Sequence, residues 1–262
     1  MLEADAVSVD YKPPGRPVVH AVKEASVSLH RGEILGVVGE SGSGKSTLGR
    51  VLAGFTRPSA GTVRLAGSDG TLRDMVIRSN RGRREVQMIF QESALALDPR
   101  LAVWRSVVEA RPGDREAGRS RDKRKAWALH HLAQVGLGPA TAGRRPSGLS
   151  GGEKQRVAIA RAIAARPAVL VCDEAVSALD VTVRAAILAL LRTIVAESGI
   201  ALFFIAHDIS VVSTIADTTA VMFEGEIVEL GPTRQVIDRP QHAYTKRLID
   251  AVPPLQRGQV PA

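Results

Sequence analysis

The chain has 262 residues, 45% of them hydrophobic, and 35 Lys and Arg against 27 Asp and Glu give a net charge of +8. That excludes a disordered chain and suits one large domain or a core with a subdomain, while the basic balance alone does not choose among nucleic acid, membrane surface and acidic protein as partner. The longest apolar runs, Ala185 to Leu191 and Ala201 to Ala206, are far shorter than the roughly 20 residues of a membrane span, and the lone Cys172 excludes an internal disulfide.

In chain order, Met1-Leu-Glu-Ala-Asp-Ala-Val7 lacks a basic head and apolar core, so a cytoplasmic compartment is expected rather than secretion. From Ala6 to about Leu65, short alternating segments (Val7 to Tyr11, Ala25 to Leu29, Thr62 to Leu65) predict antiparallel strands beside a core. Among them Ile34-Leu-Gly-Val-Val38 reads as a buried strand, and Thr47 to Leu52 leaves the following loop with helical spacing. The polar, basic stretch from Thr71 to Arg84 contains a predicted turn at Ser79 to Gly82, and Val86 to Phe90 is a strand delivering Gln91. Residues 92–166 differ in character. Leu101 to Glu109 and Trp127 to Val135 are predicted helices joined by a charged, exposed connection, Arg111 to Lys125, whose Arg119 to Lys125 part reads as a solvated helix face.

Strands and helices then alternate: Ala168 to Cys172, Val181 to Glu197, Ile200 to Ala206 and Ile209 to Ala216. This pattern predicts a parallel sheet covered on both faces. Thr219 to Phe223 and Glu226 to Leu230 flank a hairpin turn at Glu224-Gly225, and a short helix pair from Pro232 ends in a Pro- and Gly-rich terminus. The fold class is therefore α/β, a mixed-sheet core with an N-terminal antiparallel β subdomain and an inserted α-helical subdomain at 92–166, and Gly39 to Thr47, which reads G-x-x-x-x-G-K-[ST], marks that core as a P-loop NTPase (RecA-like) one.

The chemistry centres on Gly39-Glu-Ser-Gly-Ser-Gly-Lys-Ser-Thr47, the G-x-x-x-x-G-K-[ST] phosphate-binding loop between a strand and a helix. Here Gly39, Ser41, Gly42, Ser43, Gly44 and Thr47 form the cradle, Lys45 reaches the β/γ-phosphates and Ser46 holds Mg²⁺. A second apolar strand ends in two carboxylates. Asp173 suits the metal, and Glu174 suits polarisation of an attacking water.

Leu149-Ser-Gly-Gly-Glu-Lys-Gln-Arg156 resembles the signature sequence of ATP-binding-cassette (ABC) ATPases, in which Ser150, Gly151 and Gly152 present a second anion site at a helix N-terminus. Further marks resemble that family in order. Tyr11 matches the adenine-stacking aromatic, Gln91 the glutamine that joins core and helical subdomain and bears on metal and water, Ser177-Ala-Leu-Asp180 the D-loop, and His207 the switch histidine. The resemblance implies ATP with Mg²⁺, hydrolysis with Glu174 as base, and head-to-tail pairing in which Ser150 of one chain closes over the nucleotide of another.

Gly231-Pro-Thr and Pro240-Gln-His-Ala-Tyr-Thr-Lys-Arg-Leu248, within a tail spanning 232–262, are similar to the C-terminal motif of the dipeptide, oligopeptide and nickel importer group, with Ala243 where proline is usual. Phe90 to Arg100 is similar to the same group, with Asp98 where asparagine is common. An importer ATPase of that group implies a second ATPase subunit, identical or paralogous, two permeases, an extracytoplasmic solute-binding protein and a place at the cytoplasmic face of the membrane. No nucleic acid is expected. Ala94, Leu95, Leu97, Leu101 and Trp104 are either an apolar groove for a permease helix or core residues. An exporter ATPase, or one of translation or DNA repair, is the alternative function.

Overall fold

The computed structural model describes residues 1–67, 70–75, 85–91, 97–110 and 120–251. Two sheets organise them. The first is antiparallel, with strands β1 (Leu2–Tyr11), β2 (Val19–Leu29), β4 (Ala60–Ala66) and β5 (Leu72–Asp74) in the order β2-β1-β4-β5. The second has the order β10-β9-β3-β8-β7-β6, built from β3 (Ile34–Val38), β6 (Val86–Ile89), β7 (Val169–Asp173), β8 (Ala201–Ile205), β9 (Thr218–Phe223) and β10 (Glu226–Pro232). All its neighbours pair in parallel except β9 and β10, which form the edge hairpin.

The parallel strands are buried on both faces, which is why they read as unbroken apolar runs. Their side chains still alternate. Leu35, Val37, Val169, Val171, Phe203 and Ile205 point into a core shared with the antiparallel sheet and with helix α1 (Lys45–Leu52), which lies between the two sheets. Ile34, Val38, Leu170, Cys172, Leu202 and Phe204 point the other way, under the remaining helices. Gly36 permits the close approach of one of them, α7 (Ile209–Ile215): a Cβ there would lie 2.2 Å from Val212 Cγ1 and 2.9 Å from Ala216 Cβ.

Between β6 and β7 come α2 (Val103–Val108), α3 (Arg121–Gln134), α4 (Pro139–Ala142), a 3-10 turn at Pro146–Gly148 and α5 (Gly151–Ala164). Helix α3 starts earlier than the apolar spacing from Trp127 suggests. Ser120 caps it, its hydroxyl accepting from Lys123 N, and Asp122 sits in the first turn, so the charged segment from Arg121 is exposed helix, in keeping with the solvated helix face expected over Arg119 to Lys125. Likewise β2 begins at Val19 and β5 was not expected at all, because edge strands this polar carry little periodicity. The predicted turn at Ser79 to Gly82 lies outside the described residues.

Helix α6 (Val181–Ser198) follows β7, and α8 (Thr233–Asp238) and α9 (Ala243–Asp250) close the described chain. Leu97 and Trp104 are buried in the core, 3% and 9% exposed, so these two do not line an open groove, whereas Leu101 is half-buried. Ala94 and Leu95 lie outside the described residues. The exposed aromatics nearby are instead Phe55 and Phe90, whose rings meet edge to face at 5.4 Å.

Candidate active site

The glycine-rich loop runs from the end of β3 to the start of α1. Gly39, Gly42 and Gly44 take φ of 154°, 83° and 101°, angles that cost a side-chain-bearing residue strain. The backbone also needs the room: a Cβ on Gly39 would sit 2.1 Å from Met222 O, and one on Gly44 2.3 Å from Ala21 O. Gly42 faces open space, where a ligand can approach.

Lys45 is buried, and its Nζ donates to Gly39 O (2.8 Å), Glu40 O (2.7 Å) and Ser43 Oγ (3.3 Å). Burial pushes its pKa down, opposed by Glu174, Asp173 and Glu40. A cation held by carbonyls and facing three carboxylates is poised to exchange those carbonyls for phosphate oxygens.

Ser46, one residue into α1, donates to Asp173 Oδ1 at 2.7 Å. The parallel register of β3, β8 and β7 brings them together, because it sets the C-terminal ends of all three strands at one edge. That edge is where ligands bind in open α/β sheets. The pair offers hard oxygen donors, one hydroxyl and one carboxylate, beside a phosphate loop, and that set suits Mg²⁺, which binds through one or two carboxylates plus substrate phosphates.

Glu174 leaves the strand with φ of 49°, a left-handed conformation uncommon for a non-glycine residue. It is held there by its N–H to Ile205 O (3.1 Å) and by Ser177 Oγ donating to its carbonyl (3.0 Å). The carboxylate accepts from Gln91 Nε2 at 2.7 Å. His207 is exposed just past β8 and lines a narrow cavity with Glu174, Ser177 and Arg184. So Lys45, Ser46, Asp173, Glu174, Gln91 and His207 converge on one edge.

Ser150, Gly151, Gly152, Asp180 and Tyr11 do not reach that cluster by hydrogen bonds among the described residues. Ser150 caps α5 in a reciprocal box, accepting from Glu153 N (3.2 Å) while Glu153 Oε2 accepts from Ser150 N (2.8 Å). The backbone hydrogen bond from Ser150 holds the Glu153 carboxyl below its ordinary range. Gly152 lets α5 approach α6, since a Cβ there would lie 2.6 Å from Val183 Cγ1. Asp180 caps α6 and accepts from Val183 N at 2.9 Å. Tyr11, 41% exposed, pairs in register with Val19, two residues before the Ala21 carbonyl that abuts Gly44.

The ABC transporter family model matches residues 22–177, spanning loop, signature and carboxylate strand together. The chain belongs to the ABC transporter family. In this ABC ATPase, a second model, the C-terminal region of oligopeptide and dipeptide transporters, matches residues 228–261. The chain is 46% identical over 238 residues to a probable peptide ABC transporter ATP-binding protein of Sinorhizobium fredii, covering 90% of this chain and 66% of the relative. It is 42% identical over 244 residues to a putative peptide import ATP-binding protein of Brucella abortus, covering 93% and 72%. It is 45% identical over 237 residues to the glutathione import ATP-binding protein GsiA of Pectobacterium atrosepticum, covering 90% of this chain and 37% of the relative. Among solved structures, the dimeric cassette MJ0796 in a post-hydrolysis state bound to ADP and Pi superposes with a TM-score of 0.76 at 28% identity, over 89% of this chain and 99% of that one.

Two contributors to the site are legible in the sequence only as a turn glycine and as part of the tail motif, not as neighbours of the loop. Gly225, in the β9–β10 turn, donates to Ser43 O at 3.1 Å, and Tyr244 of the tail accepts from Glu40 N at 2.8 Å. Arg184, beside Glu174 and His207, is the third residue missed. It sits one turn into an amphipathic helix, where arginine is an ordinary surface choice.

Proposed function

We propose that this cassette binds and hydrolyses ATP to drive uptake of a peptide-class solute through two partner permeases fed by a solute-binding protein. It would act as one of a pair of ATPase subunits at the cytoplasmic face of the membrane. The observation that carries the reading is the edge cluster of Lys45, Ser46, Asp173, Glu174 and Gln91 in a chain whose tail matches the C-terminal model of oligopeptide and dipeptide transporters. Substrate class rests on that tail and on relatives whose names include both peptide and glutathione import.

ATP enters with its phosphates over Gly42 and the start of α1, and Lys45 exchanges its carbonyl partners for the β/γ-phosphates. Ser46 and Asp173, with Gln91 beside them, would hold Mg²⁺, which when bound neutralises charge on the β- and γ-phosphates. Glu174, kept in place by Gln91, orients a water and takes its proton as the water oxygen attacks the γ-phosphorus. The bond to the bridging oxygen breaks, leaving ADP and inorganic phosphate. His207 steadies the γ-phosphate, and Tyr11 stacks on the adenine.

Ser150, Gly151 and Gly152 lie outside the cluster within one chain, so they serve the nucleotide of a second chain, with Asp180 at the join. ATP then favours the closed pair through its differential affinity for that state, and its cleavage removes the preference. The test is Glu174→Gln in the assembled transporter. Hydrolysis is expected to fall by at least about a hundredfold while ATP binding persists and a closed dimer accumulates. Native turnover by the variant would remove Glu174 from the role of base. Uptake of labelled tripeptide, glutathione and Ni²⁺ by reconstituted vesicles assigns the solute class.

A further inference from the structure

The tail motif around Tyr244 is recognisable in sequence but has no part in the chemistry above. Its residues are nevertheless placed with care. Glu229 of β10 accepts from Gln241 N (2.9 Å) and His242 N (3.0 Å), and His242 Nδ1 caps α9 by accepting from Tyr244 N (3.2 Å). Ala243 is the first residue of that helix, a position whose N–H needs no intrahelical partner and where proline is therefore favoured. The outcome of this scaffolding is one side chain. Tyr244 is 2% exposed, its ring packs against Phe223 at 4.3 Å, and its hydroxyl accepts from Glu40 N at 2.8 Å, 204 residues away.

We propose that Tyr244 is a positioning residue for nucleotide binding: the tail holds the first peptide of the P-loop in place while Lys45 changes partners. This rests on the reading that the loop binds ATP. In the structure Lys45 draws in the carbonyls of Gly39 and Glu40, so the Gly39–Glu40 peptide is held from two sides, its carbonyl by Lys45 and its N–H by Tyr244. When Lys45 turns to phosphate it releases those carbonyls. The Glu40 N–H then keeps its orientation through Tyr244, while Gly225 keeps the far side of the loop through Ser43 O. A loop that owes its anion affinity to fixed N–H directions loses part of that affinity if its first peptide can turn. By linkage, nucleotide binding is felt in turn by the tail.

The decisive variant is Tyr244→Phe, which keeps the ring against Phe223 and removes only the hydroxyl. The expected result is a rise of about five- to tenfold in the Kd for ATP with Mg²⁺, as for loss of one well-placed hydrogen bond, with kcat at saturating ATP within about twofold of native. Unchanged Kd, with only a lower unfolding temperature, would mean that Tyr244 merely docks the tail and would overturn the proposal. A second measurement needs no destabilised variant. The chain has two tyrosines, so 3-fluorotyrosine labelling gives two ¹⁹F resonances, assigned by Tyr11→Phe. On titration with ATP and Mg²⁺ both are expected to shift. A shift at Tyr11 alone sinks the coupling, and no shift at either sinks the nucleotide reading beneath it.

Discussion

Glu174, the proposed base, has a backbone that departs from the ordinary. A left-handed φ at a glutamate costs of the order of 1 kcal/mol or more, and the strand end at Ile205 together with Ser177 holds it there. The immediately preceding residues are its opposite in character. Cys172 is fully buried, and burial together with the adjacent Asp173 pushes its thiol far above the usual range. Native protein is therefore expected to resist iodoacetamide at neutral pH and to react once unfolded in guanidinium, read by mass spectrometry. Rapid native alkylation would mean that this strand opens.

At the scale of elements, the helix starts are set by short-range chemistry and the packing by tertiary contacts. The capping box of α5 is an example of the first. Glu153→Ala is expected to cost about 0.5–1 kcal/mol, measured by denaturant unfolding. The folded-state pKa of Glu153 lies below its ordinary 4.5, so its contribution is complete above the ordinary value and disappears as pH falls through the folded one. The native-minus-variant difference should shrink on that acid limb and stay flat from pH 6 to 8. Gly36 is an example of the second. Nothing near it in sequence requires glycine, yet α7 crosses so close that Gly36→Ala must push Val212 aside, at a cost of about 1–3 kcal/mol.

At the scale of the whole molecule, four of the expected nucleotide contacts, Ser150, Gly151, Gly152 and Asp180, make no hydrogen bond to the loop cluster among the described residues; Ser150 and Asp180 cap helices instead. Ser150 caps a helix packed against the start of α6, while the loop is held by Asp173, the β9–β10 turn and the tail. The proposed head-to-tail pair of chains would bring them together. A mixture of Lys45→Ala and Ser150→Arg chains tests it: each is expected to be inactive alone, while mixing regains up to about a quarter of native hydrolysis, because half of the chain pairings contain one intact site of two. No recovery would argue against shared sites between copies of this chain.

What the sequence alone determined is whatever depends on neighbours along the chain. The phosphate loop needs glycines at fixed offsets, a buried strand needs an apolar run, and a helix N-terminus needs Ser, Asp or an equivalent cap, so β3, α1, β7, α5 and α6 were legible, as were Lys45, Ser46, Asp173 and Glu174. The tertiary structure decided whatever depends on register between strands far apart. Pairing of β3 with β8 and of β8 with β7 put Ser46 against Asp173 across 127 residues, and docking of α9 put Tyr244 under Glu40 across 204. Leu97 and Trp104 went into the core because burial, not hydrophobicity, separates a core residue from a groove residue. Periodicity records which face of an element is apolar; only packing records what that face, or a single hydroxyl at its end, finally meets.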